Sequence, residues 1–284
     1  MPLTLVPTPI GNLEDITLRA LRVLRNADLI ACEDTRTSSV LLRRYHIAAP
    51  LVPFHLHNEK ECLPRLMEAL RAGKSVAVVS DAGTPGVSDP GWILLRSALD
   101  EGIEADVLPG PSALLPALLL SGLTPHPFLF LGFPPEKPGA RGELFQSLSG
   151  VPWTLCFYLS PHKAERQIAE MAEHWGDRRA ALVREISKVY QESIRAPLSG
   201  LIARLEQGVK GELVLVVEGR VSKGEEDGAW REEADAMRAE GATVRSIVEA
   251  IVARHPVAKN AVKAYLLEGR EEGNGSRGRS FPCL

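Results

Sequence analysis

Glu33-Asp34-Thr35-Arg36 puts three ionisable side chains into four residues, directly after Asp28-Leu29-Ile30-Ala31-Cys32, which reads as a strand. A carboxylate beside a cation at a strand end can accept a proton or steady a developing charge. The same string would also serve as a solvated turn with a local ion pair, and both readings stand at this level. Arg184-Glu185-Ile186-Ser187-Lys188 repeats the arrangement after a second apolar run, Ala180 to Arg184. Phe54-His55-Leu56-His57-Asn58-Glu59 forms a polar cluster ahead of a helix, and a lone His57 there reads more readily as structural than catalytic.

The chain is arranged around residues 76–91, VAVVSDAGTPGVSDPG. Val76 to Val79 reads as a strand buried on both faces. From Asp81, Ala82, Gly83 and Thr84 onward the loop holds glycine and proline and little bulk, which suits a ligand lying against main chain. Asp89 is expected to cap a helix with Pro90 as its first residue. Leu3-Thr4-Leu5-Val6 is another short strand, feeding Pro7-Thr8-Pro9-Ile10-Gly11-Asn12. A strand near 104–108 ends in Pro109-Gly110-Pro111-Ser112-Ala113, where Pro111 is expected to open a helix and leave the N–H groups of Ser112 and Ala113 free for a carboxylate or phosphate. Ligands of open α/β sheets bind beyond such strand ends.

Strands and helices alternate over residues 1–122, giving an N-terminal α/β domain. His126-Pro127 marks a linker, and 126–220 reads as a second α/β domain. Within it Pro134 to Gly142 is expected to be a flexible loop and Ser160-Pro161 a helix cap. Residues 222–228 look like a linker, 229–270 a small helical appendage, and 271–284 a disordered tail. Over 241–270 five Lys/Arg face two acids, compatible with a nucleic-acid surface or with a solvated helix face.

The net charge of −3 gives no global case for a nucleic-acid partner. Cys32, Cys62, Cys156 and Cys283 form no CxxC pair, which points to a reducing compartment without structural zinc. No signal peptide precedes the first strand and no apolar run is long enough to span a bilayer, so a cytoplasmic protein is expected.

PTPIGNLEDITLRAL (7–21), EDTR (33–36), HNE (57–59), VSDAGTPGVSDPG (79–91), PGPSA (109–113) and GELVLVVEG (211–219) together resemble the ribosomal RNA small-subunit methyltransferase I group of the tetrapyrrole methylase superfamily. The resemblance covers about 3–220 and, more loosely, the helical tail. It implies two α/β domains of the tetrapyrrole methylase type with S-adenosylmethionine (SAM) in the cleft between them. It further implies methylation of a cytidine ribose 2′-hydroxyl in the decoding region of 16S rRNA, a homodimer, and no metal. An assembled small ribosomal subunit is the expected substrate form, because a compact acidic protein must gain affinity from shape and a local patch.

Transferred to this sequence, the resemblance makes Ile10 and Gly11 one wall of the cofactor site and Asp81, Ala82, Gly83 and Thr84 the loop under the methionine and ribose. Ser112 and Ala113 would offer backbone groups, and Leu159, Glu212 and Leu213 would contribute around the adenine. For the reaction, Glu33 or Asp34 would be base or orienter and Arg36 or Lys188 the cationic partner, with His57 and Glu185 as weaker candidates. Two positions depart from the group. Leu159 stands where many members have glutamate, and Lys263 where a tyrosine often follows the asparagine, here Asn260. A tetrapyrrole or modified-histidine methyltransferase, and a non-catalytic ribosome-assembly protein, are the competing expectations.

Overall fold

The structure is a computed structural model and describes residues 2–206, 208–221, 229–255 and 257–268. It divides into two compact units, Met1–Gly219 and Arg220–Leu284.

The first unit holds two five-stranded sheets. In the first sheet, β1 (Leu3–Leu5), β2 (Leu29–Cys32), β3 (Leu51–Pro53), β4 (Val76–Val79) and β5 (Ala105–Val107) are all parallel, in the order β3-β2-β4-β1-β5. Helices α1 (Leu18–Asn26) and α2 (Thr35–Arg44) cover one face, and α3 (Glu59–Arg71) and α4 (Trp92–Asp100) the other. Coverage on both sides is why Val76 to Val79 is apolar without alternation: all four are buried. The β1 and β4 crossovers leave in opposite directions, so the strand order reverses between these two neighbours. In open α/β sheets ligands bind beyond the carboxyl ends of the strands at such a reversal.

α5 (Leu114–Ser121) leads into the second sheet: β6 (Phe128–Phe130), β7 (Thr154–Leu159), β8 (Arg179–Arg184), β9 (Glu192–Pro197) and β10 (Leu213–Val217), in the order β6-β7-β10-β8-β9. Only β6 and β7 run parallel; the remaining pairs are antiparallel. Its outer face packs on α6 (Pro138–Leu148), α7 (Ala164–Trp175) and α8 (Leu198–Leu205). Its inner face, with Cys156, Val183, Val214 and Val216, packs on α5 and on Ile10 and Ala82 of the first half. The two sheets thus meet across the loops that end β1 and β4.

Four local expectations are corrected. The segment expected to be a flexible loop at 134–142 enters α6 at Pro138, a position where the missing N–H costs nothing. Arg141 is 1% exposed, makes paired bonds of 2.5 and 2.7 Å to Glu170, and also donates to the carbonyls of Pro135 and Glu136. A buried guanidinium with all three nitrogens engaged pins that segment. Next, α4 begins at Trp92 with Gly91 as its cap, not with Asp89 and Pro90; Gly91 has φ +131, which breaks the helix before it. Finally, α5 starts at Leu114 and α7 at Ala164, each later than the proline expected to open it.

The second unit has α9 (Ala229–Ala239), α10 (Val244–Arg254) and α11 (Lys259–Glu268) around Trp230, Ala234, Ile247, Ile251, Val262 and Leu266. The expected linker at 222–228 and tail at 271–284 lie outside the described residues.

Candidate active site

The strand-end loops of the first sheet are stitched together. Thr8 and Gly83 exchange backbone hydrogen bonds of 2.9 and 3.0 Å, and Thr8 Oγ1 donates to the Ser80 carbonyl at 3.0 Å. Thr84 Oγ1 donates to the Pro111 carbonyl at 3.3 Å, joining a third loop. Gly83 holds φ +82, a conformation glycine adopts without strain, and a Cβ there would lie 3.6 Å from Ile10. Ile10, Ala82, Gly83, Thr84 and Ala113 thereby lie together where these loops meet. No side chain caps the start of α5 at Ala113, whereas Thr17 caps α1 and Asp34 caps α2. The first N–H groups of α5 are left for an anionic partner.

An acidic group adjoins these loops. The Asp34 backbone N–H donates to Asp81 Oδ1 at 3.0 Å. Burial raises the Glu33 pKa from its ordinary value, and the neighbouring Asp81 charge raises it further. Asp81 is raised by the same desolvation, which outweighs the opposing hydrogen bond from the Asp34 N–H. Burial, then Glu33 and Asp81, lift Asp89 to about 6. Asp34 differs. Arg36 clamps it through both carboxylate oxygens, at 2.7 Å for the shortest contact, and its own carboxylate caps α2; these bonds hold it near 2. Asp34 is therefore a committed anion and cap, and Glu33 the more basic of the two.

Lys188 reaches the site from the other sheet. Its aliphatic stem covers Gly11, where a Cβ would fall 2.3 Å from its Cγ. Its Nζ lies 2.9 Å from Glu185 and 3.2 Å from Glu212. Desolvation lowers its pKa, but the two carboxylates outweigh that and keep it cationic. Ser187 Oγ also donates to Asp15, a second tie between the halves.

Leu159 and Leu213 are placed less favourably. They are register partners, and both side chains enter the outer core under α6–α8, so only their main chain faces the sheet end. The period of two puts Tyr158 and Val214 toward the inner face instead. Tyr158 was not singled out by sequence. Burial raises its pKa and Asp89 adds to the shift, which places the phenol within electrostatic reach of the acidic group. Glu59 was also missed: it is 5% exposed, and its Oε1 accepts the Gly91 N–H at 3.0 Å, fixing the end of the central loop. Its position in the HNE string was the available signal.

Residues 2–202 match the family model described as Tetrapyrrole (Corrin/Porphyrin) Methylases. The chain belongs to this family. The methylase is similar to proteins named Ribosomal RNA small subunit methyltransferase I. The one from Streptococcus pyogenes is 44% identical over 76% of each chain. That from Mesorhizobium japonicum is 42% identical over 95% of this chain and 88% of its own. That from Bacillus subtilis is 39% identical over 92% and 87%. The methylase groups with these relatives, as its motifs suggested. Its fold is shared with a uroporphyrin-III-C-methyltransferase from Thermus thermophilus (22% identity, TM-score 0.56, 75% of this chain and 93% of that one). Diphthine synthase has it too (18%, TM-score 0.59, 76% and 89%). No helix among the described residues is long and apolar enough to cross a membrane.

Proposed function

We propose that the protein is a SAM-dependent methyltransferase acting on the small-subunit ribosomal RNA, and that its target is a cytidine ribose 2′-hydroxyl in the decoding region of 16S rRNA. The observation carrying this reading is the set of stitched loops at the β1/β4 strand ends in a chain whose relatives at 39–44% identity carry the rRNA methyltransferase name. These loops fit SAM in their donor chemistry: an uncapped helix start suits the methionine carboxylate, and the Gly83 backbone leaves room for close approach. Ile10, Gly11, Asp81, Ala82, Gly83, Thr84, Ser112 and Ala113 would hold it, with main chain of Leu159, Glu212 and Leu213 on the opposite side.

SAM supplies a methyl group already activated on a sulfonium. The protein's task is then to align the hydroxyl and take one proton. Alignment alone can contribute about 7–11 kcal/mol, and a positioned base about 10²–10⁴-fold. Glu33, made more basic by burial, is the proton acceptor in this reading, and Asp34 and Arg36 orient the start of α2 beside it. Lys188, kept cationic by Glu185 and Glu212, steadies the developing alkoxide charge. We further infer that the protein works as a cytoplasmic homodimer on the assembled subunit; Cys32, Cys62 and Cys156 are free thiols, consistent with a reducing compartment.

The test is incubation with radiolabelled SAM and, separately, unmodified small subunits, naked rRNA and tetrapyrrole precursors. Label recovered as 2′-O-methylcytidine in subunit RNA is expected. Label confined to a tetrapyrrole would retain the fold and overturn the substrate. SAM binding without transfer to any of these would favour a non-catalytic assembly role.

A further inference from the structure

Arg184 and Glu192 are register partners at the mouth of the β8–β9 hairpin and pair at 2.7 Å. Between them residues 185–191 form a tip that is fixed at its root. The Glu185 N–H donates to the Glu212 carbonyl at 3.0 Å, the Lys188 N–H to the Glu185 carbonyl at 3.0 Å, and the Ser187 N–H to Gln191 Oε1 at 2.7 Å. Glu185 and Ser187 sit at φ +52 and +67, a left-handed backbone that non-glycine residues keep only where neighbours over-determine it. This strained, braced tip holds out Val189, 94% exposed, and Tyr190, 76% exposed. Tyr190 joins no aromatic pair and no core cluster among the described residues.

A groove of about 390 Å³ adjoins the hairpin root, and Arg184, Arg204 and Lys210 line it around Glu192. Arg184 and Arg204 share that one carboxylate, at 2.7 and 3.8 Å, so positive charge is in excess there although the whole chain is acidic. One hairpin therefore carries Lys188 toward Gly11 on the inner side of the sheet, an unpartnered aromatic face at its tip, and the edge of a cationic groove on the outer side. Surfaces that grip single-stranded nucleic acid combine these last two features: cations track the phosphates and aromatic rings stack on bases. Sequence-specific RNA contacts favour bases already unstacked.

We propose that this hairpin and groove form a path for a single-stranded RNA segment, with Tyr190 stacking on one nucleobase next to the target and Arg204 and Lys210 contacting its phosphates. The proposal rests on the rRNA reading above and adds how the substrate is gripped.

The test is filter binding of unmodified small ribosomal subunits to the full-length protein across a salt series, with methyl transfer measured in parallel. Tyr190→Ala is expected to raise Kd about 5- to 150-fold, while Tyr190→Phe restores binding because the ring persists. Calorimetry with SAM is expected to give the same affinity for Tyr190→Ala as for wild type, which separates weakened RNA binding from misfolding. The double change Arg204→Ala, Lys210→Ala is expected to flatten the slope of log Kd against log salt by about 0.7 for each phosphate no longer neutralised. An unchanged Kd for Tyr190→Ala, or an unchanged slope for the double variant, overturns the path. So does a fall in sedimenting mass for Tyr190→Ala, which would assign the tip to an interface between copies. If wild type methylates subunit RNA while the variants match it, this proposal alone fails. If wild type neither binds nor methylates subunits, the rRNA reading fails and takes the path with it.

Discussion

Burial next to Glu33 and Asp81 lifts the Asp89 carboxyl from 3.8 to about 6, and that shift has a definite sign for stability. A folded-state pKa above the unfolded one favours folding at low pH. The advantage is complete below 3.8 and is lost as pH rises through about 6. Above that, the ionised Asp89 is a cost. Asp89→Asn should therefore be more stable than wild type at pH 7.5, by about 1 kcal/mol once solvent screening of this half-buried group is allowed for. The gap should close near pH 4, and urea midpoints at both pH values check it. Glu59 is the opposite kind of acid, buried and satisfied. Glu59→Ala would orphan the Gly91 N–H and cost about 1–3 kcal/mol. Glu59→Gln keeps an acceptor and should cost less. Denaturation midpoints for the pair separate hydrogen bonding from charge.

Among the elements, α6 is held by one side chain doing several jobs, and the β8–β9 hairpin carries one, Lys188, across to Gly11. Arg141 satisfies Glu170 and two carbonyls at the entrance to α6. Arg141→Ala removes four hydrogen bonds but leaves Glu170 partly exposed and within 3.7 Å of Arg166, so it should cost about 1–3 kcal/mol, with hydrogen exchange rising first at 134–148. The hairpin responds differently. In Gly11→Ala the new Cβ must displace the Lys188 stem, a flexible side chain, so melting should shift by only a few degrees. Losing the placement of the ammonium should nonetheless lower methyl transfer at least tenfold, the loss expected when a preorganised charge is moved. A loss of stability matching the loss of turnover would count against that role for Lys188.

At the scale of the molecule, the hydrophobic cores of the two units are separate clusters. A chain ending at Gly219 should fold cooperatively and bind SAM with near wild-type affinity, as circular dichroism melts and calorimetry would show. Its affinity for subunits should drop if the basic residues of 241–270 face RNA. With a net charge of −3 the protein gains little from the phosphate field at large, so affinity must come from a few local contacts and from shape. Assembled subunits should accordingly be methylated at least tenfold more efficiently than naked rRNA, as judged by kcat/KM at matched salt.

The sequence by itself determined four of the five strands of the parallel sheet: apolar runs such as Val76–Val79, three of them ended by glycine and proline and one by Glu33-Asp34-Thr35-Arg36, specify buried strands with loops free of bulk or rich in charge. The same local grammar carried the family motifs, because the strand, its loop and the helix that follows lie within a few residues of one another. Tertiary structure decided the rest. α6 was illegible because Arg141 and Glu170, which stabilise it, are far apart in the chain. Glu59 and Gly91 meet for the same reason. Which face Leu159 and Tyr158 take depends on strand register against β10, and a shift of one residue would exchange them. The difference between Glu33 and Asp34, adjacent in sequence, came from burial on one side and from Arg36 on the other. Composition and spacing named the charged residues; only the folded surroundings set how each of them holds its proton.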